Sequence, residues 1–173
     1  GFAGEGDAVY LLGAAGLTGD SSSLAGSEFQ DLVMGVVTGQ PSIDLDIEVR
    51  VQQACRDGIV AGLVRSAHDV SDGGLAVALV ESAVIGGMGV RVDAIASGRW
   101  DAVLFGEAQS RIVVTVSSDH AQEFESVATK AGAPVFRLGT TGGDRIVISD
   151  LLDVSLSEAS DSWQNGFEAA TRG

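Results

Sequence analysis

Asp69, Ser71 and Asp72 place three oxygen-bearing side chains within four residues, and Gly73 and Gly74 follow at once. A run of small and apolar residues comes next, with Leu75, Leu79 and Ala83 at helical spacing. Oxygen ligands on a strand-to-helix turn suit a hard cation, because Mg2+ takes carboxylates together with substrate phosphates. The free N–H groups at the helix start beside them suit an anion. Phosphate chemistry is what such a turn could do. The same string also fits plain backbone work, with Asp72 as the helix N-cap and Asp69 or Ser71 closing an Asx- or ST-turn. Residue types alone leave both readings open.

Two further polar clusters stand out. Residues 105–111 (FGEAQSR) fall between apolar runs, and their polar types suit either a ligand or a solvated loop with an ion pair. Gly26-Ser27-Glu28 resembles a helix start. Other chemistries are excluded. A P-loop needs Gly-Lys-Ser/Thr, and the single lysine, Lys130, precedes Ala131. Gly13, Gly16 and Gly19 follow a strand but miss the dinucleotide fingerprint. A Ser–His–Asp triad would need His68 or His120. His68 and Asp69 are strand neighbours facing opposite ways, and no nucleophile elbow is present.

The elements that must hold these residues alternate between helix and strand. Strands are expected at 7–13, 63–67, 90–92, 100–105, 111–116, 134–138 and 145–148. Helices are expected from Ser27 through residue 37, from Asp44 to about Gly62, over 73–86, and from an Asp119 cap to Lys130. In the tail from Ser157, Trp163 and Phe167 share a helical face expected to dock on the core. The fold class is α/β (or α+β), a sandwich with a mixed sheet.

Composition sets the outer bounds. With 45% hydrophobic and 20% charged residues in 173, the chain is globular and long enough for one domain over 1–173. A net charge of −14 argues against nucleic acid and anionic membranes as partners. The lone Cys55 excludes a disulfide or zinc cluster and suits a buried structural thiol. A cytoplasmic location is expected. Gly1 and Phe2 start abruptly within sequence that already looks folded, so the chain is expected to be a fragment of a longer protein.

Taken together, GSEF (26–29), AHDVSDGGLAVAL (67–79), LFGEAQSR (104–111) and RLGTTGGDRIVI (137–148) resemble, in order and spacing, the C-terminal portion of phosphoribosylformylglycinamidine synthase. The resemblance implies a three-layer α/β/α domain, partly ferredoxin-like, of the aminoimidazole ribonucleotide synthetase C-terminal type. It implies ATP-dependent amidation of formylglycinamide ribonucleotide in purine biosynthesis, with ATP and Mg2+. Ammonia would come from a separate glutaminase component, and the remaining synthetase domains would be partners. Asp69 matches a family Mg2+ ligand and Ser71 a nucleotide-phosphate contact. Glu107 and Gln109 match a Glu-Ser-Gln element that contacts substrate in the family's other half, although Ala108 replaces its serine. No residue here matches a catalytic group. The resemblance also implies a chain inactive alone, prone to self-association where a partner domain is missing. The alternatives are another ATP-dependent superfamily member and a non-catalytic binding module.

Overall fold

The computed structural model describes residues 1–171, without the side chains of 167–170; Phe167 therefore lies outside the described residues. In chain order the elements are β1 (Ala8–Leu12), β2 (Leu17–Gly19), α1 (Leu45–Val60), β3 (Val64–Asp69), α2 (Gly74–Gly86), β4 (Val90–Val92) and β5 (Ala96–Gly98). They continue with α3 (Trp100–Phe105), β6 (Ile112–Val116), α4 (Ala121–Ala131), β7 (Val135–Thr141), β8 (Arg145–Ile148), β9 (Leu152–Ser155) and α5 (Leu156–Thr171). Seven strands form one sheet in the order β3-β6-β1-β7-β4-β8-β9, and β2 pairs with β5. β4 and β8 are parallel while the other pairs in the large sheet are antiparallel, so the sheet is mixed.

The central strand shows why the domain has three layers. Every residue of β1 is buried, because successive side chains point to opposite faces and both faces are covered. Ala8, Tyr10 and Leu12 pack with Val51, Ala54 and Cys55 of α1 and with Phe124 and Ala128 of α4. Val9 and Leu11 join Leu75, Leu79 and Ala83 of α2, Val103 and Leu104 of α3, and Ala159 of α5. Cys55 is buried as expected, and burial pushes its thiol above the ordinary value. This is the three-layer α/β/α sandwich with a mixed sheet.

Helix ends follow local chemistry. The Asp44 carboxylate accepts the N–H groups of Asp46 and Ile47 at 2.9 and 3.1 Å and so starts α1. Ser155 and Glu158 cap α5 reciprocally, as a capping box. Asp119 does not cap α4. It sits inside a single 3-10 turn, Ser118–His120, that leads into the helix.

Other expectations change too. Residues 100–105 form α3 and not a strand. The Asp101 carboxylate accepts the Ala102 N–H at 2.9 Å and pairs with Arg99, which closes the first helical turn. The hydrogen bond from Arg99 holds that carboxyl below its usual range. A six-residue apolar run carries too little period to separate helix from strand. The helix begun at Ser27 is short, a π-type segment over Gln30–Met34 that ends at Gly35. Trp163 is 52% exposed and does not dock on the core.

Candidate functional site

Strand pairing assembles the site. β3 and β6 are antiparallel with Asp69 opposite Ile112, so the turn that leaves β3 lies beside the loop that enters β6. The Val70 N–H donates to the Arg111 carbonyl at 2.9 Å and locks the two together. A cavity of about 480 Å³ opens between them, and the first turns of α1 complete its wall. Asp69, Ser71, Glu107 and Gln109, singled out separately in the sequence, all line this one cavity, together with Asp72, Glu48, Gln52 and Arg111.

Each side chain has a distinct environment. Asp69 ends β3 on its exposed side, with His68 Nδ1 4.0 Å from its carboxylate. His68 itself turns Nε2 to Glu81 of α2 at 3.3 Å and Nδ1 to the Asp69 carbonyl at 2.7 Å, so both ring nitrogens are engaged by groups other than a serine nucleophile. The Ser71 carbonyl accepts the Gly74 N–H at 3.0 Å, which leaves the exposed hydroxyl at the cavity edge. Gln109 is exposed and donates from Nε2 to the Glu107 carbonyl at 3.3 Å.

Asp72 is not the cap of α2. The N-cap position falls on Gly73, which has a φ of +79° and no side-chain cap. Asp72 therefore lies one residue too early, and the N–H of Gly73 finds its acceptor elsewhere. Glu107 Oε1 takes it at 2.8 Å and takes the Glu28 N–H at 3.0 Å as well. Ser27 precedes the Gln30–Met34 segment, its buried hydroxyl accepting the Gln30 N–H at 3.3 Å and donating to the Leu24 carbonyl at 2.8 Å, while the N-cap position falls on Phe29.

Arg111 was not singled out from sequence by role. Its Nε donates to the Ala108 carbonyl at 3.1 Å and its Nη2 to the Gly106 carbonyl, so one guanidinium staples the loop. Burial pushes it down to about 10, against the opposing pull of Glu107, and it stays charged at neutral pH. An arginine at the mouth of an apolar strand was the available signal. The cavity otherwise carries Glu48, Asp69, Asp72 and Glu107, a field that favours a cation.

The donor set is compatible with one carboxylate contact to a magnesium ion and does not form a complete metal site by itself. No three His, Cys, Asp or Glu side chains among the described residues converge into a metal cage. Asp69 offers one accessible carboxylate, and Mg2+ commonly takes one or two carboxylates plus phosphates and water.

Residues 4–150 match the family model for the AIR synthase related protein, C-terminal domain. The chain belongs to that family. Among curated relatives of this AIR synthase related domain is the phosphoribosylformylglycinamidine synthase subunit PurL of Thermomicrobium roseum. It is 43% identical over 171 residues, covering 96% of this chain and 22% of that protein. The subunit of the same description from Synechococcus is 43% identical over 173 residues, covering 94% and 22%. The chain thus spans about a fifth of the length of these relatives. Of solved structures, PurL from T. maritima complexed with FGAR superposes with a TM-score of 0.72 at 19% identity, over 91% of this chain and 28% of that one. At that identity the likeness shows the fold. No helix among the described residues is long and apolar enough to cross a membrane.

Proposed function

We propose that the chain is a C-terminal-type domain of a longer, multidomain phosphoribosylformylglycinamidine synthase. That enzyme makes formylglycinamidine ribonucleotide, ADP and phosphate from formylglycinamide ribonucleotide, ammonia and ATP in the cytoplasm. The observation that carries the reading is the convergence of the AHDVSDGG and FGEAQSR segments on one cavity, in a chain 43% identical to such synthases. Asp69 would hold Mg2+ and Ser71 would meet the nucleotide phosphates. Bound there, Mg2+ would neutralise phosphoryl charge. On the facing wall the exposed Gln109 is the side chain a substrate would approach, with Glu107 beside it.

Partners follow from what the domain leaves open. Leu32, Val33 and Val37 are 79%, 66% and 61% exposed, in the segment that follows Phe29, whose ring lies edge-on to the half-exposed Trp100; these apolar side chains suit another domain of the same synthase. A glutaminase component would supply the ammonia, and the uncovered patch would drive self-association of the isolated chain.

In a coupled ADP-release assay the 173-residue chain alone is expected to give no turnover, while the full-length protein containing it turns over. There, Asp69→Asn is expected to lower kcat or the bound nucleotide content about tenfold or more. Turnover by the isolated chain would refute the half-site reading. Unchanged activity and nucleotide content in the full-length Asp69→Asn variant would instead make the domain a non-catalytic module.

A further inference from the structure

We infer that Glu107 is a positioning residue, which holds the Asp69–Gly73 turn in place through the backbone and does not bind substrate or metal itself. The inference rests on the proposed Mg-nucleotide role of that turn. One carboxylate oxygen, Oε1, accepts two main-chain N–H groups, from Gly73 at 2.8 Å and Glu28 at 3.0 Å. These donors lie 34 and 79 residues away in sequence. The backbone of Glu107 is itself anchored, its N–H donating to the Ser23 carbonyl at 2.7 Å. One side chain therefore ties together the 26–28 turn, the 69–73 turn and the 105–111 loop, of which the last two line the cavity.

Chemistry explains why a carboxylate stands there. Gly73 is the N-cap of a 13-residue helix and brings no side chain to cap it. A carboxylate supplied from another element satisfies its N–H and sits at the positive end of the helix dipole. Charge-assisted bonds of this kind are stronger than neutral ones. Geometry forbids the turn from closing up by other means. A side chain on Gly74 would lie 2.7 Å from the Phe105 carbonyl carbon and 2.8 Å from the Gly106 oxygen. The turn is thus pressed against the very loop that carries Glu107. Pairing with Ile112 and the Val70 N–H bond to the Arg111 carbonyl hold the Asp69 end of the turn, and this clamp holds its Gly73 end, so that Ser71 is placed between two fixed points.

Amide hydrogen exchange in the 173-residue chain, with Mn2+ as the metal probe, tests this. In Glu107→Ala, exchange at Gly73 and Glu28 is expected to quicken about tenfold, while Val114 in the centre of β6 keeps its protection. The Mn2+ concentration needed to broaden the Asp69 and Ser71 signals is expected to rise about tenfold as well. Glu107→Gln, whose amide oxygen can still accept both N–H groups, is expected to stay within about threefold of the parent in both readouts. Should Glu107→Ala fail to fold, Glu107→Asp, one methylene too short to reach both amides, carries the same expectation. Unchanged Gly73 and Glu28 exchange in the Ala or Asp variant overturns the inference. So does equal loss of Mn2+ response in the Gln and Ala variants with Gly73 protection intact, since Glu107 would then act on the metal directly. Absence of Mn2+ broadening in the unmutated chain refutes the metal reading of Asp69 alone, and the exchange rates still decide the clamp.

Discussion

Gly74→Ala is expected to destabilise the domain by about 3 kcal/mol, from two separable sources. The residue has a φ of +73°, where an L side chain costs about 1–2 kcal/mol. The added Cβ would also meet backbone atoms of Phe105 and Gly106 at 2.7 and 2.8 Å, and backbone on a packed helix cannot swing aside. For a chain of this length the melting temperature should fall by about 6–12 °C. Gly87→Ala separates the two terms. It has a similar φ of +67° but open space around its Cβ, so about 1 kcal/mol is expected there. Guanidinium unfolding of both variants measures the difference. Equal losses would show that the contact between the α2 turn and the 105–111 loop is looser than described.

Phe124→Ala is expected to cost about 4 kcal/mol, the larger effect, on the opposite side of the sheet. The ring is fully buried, 5.4 Å from the Tyr10 ring, and Gly58 of α1 approaches it closely enough that a Cβ there would be 3.0 Å from its edge. Removing it leaves a cavity where α1, α4 and β1 meet. Total stabilities of about 5–15 kcal/mol make such a loss severe. Tyr10 is the sole tyrosine and reports on the damage. Burial, with the 2.7 Å bond to Glu125, pushes its phenol well above the ordinary value. In Phe124→Ala the phenol absorbance should titrate at lower pH. The α1 wall of the candidate cavity rides on this packing, but Asp69 and Ser71 do not, so the turn should survive a partial loosening.

What could be read from residues alone divides along physical lines. β1, α1, α2 and β6 were legible because their apolar runs are long or their ends are marked, as by Asp44 before α1. The six-residue run Trp100–Phe105 was not, since its helical state comes from Asp101 closing the first turn with Arg99. β2, β5 and β9 span three or four residues and carry no period of their own. At the site, the types and order of Asp69, Ser71, Glu107 and Gln109 pointed to phosphate chemistry through a family resemblance, and the β3–β6 register explains why they meet. The role of Asp72 was misjudged because the cap position slid to Gly73. The clamp by Glu107 was invisible, because its partners are backbone amides distant in sequence, which no side-chain pattern records.

The central claim is that the Asp69 turn is half of a magnesium–nucleotide site, and a −14 chain offers many other carboxylates to a cation. Mn2+-induced broadening of amide signals across the whole chain tests the claim most directly. At low Mn2+ the loss is predicted to centre on Asp69 and Ser71, to reach Glu48 and Gln109 across the cavity, to leave Val147 in β8, five strands from β3, unchanged, and to vanish in Asp69→Asn. Broadening that persists in Asp69→Asn, or that centres on acidic surface away from this cavity, would contradict it.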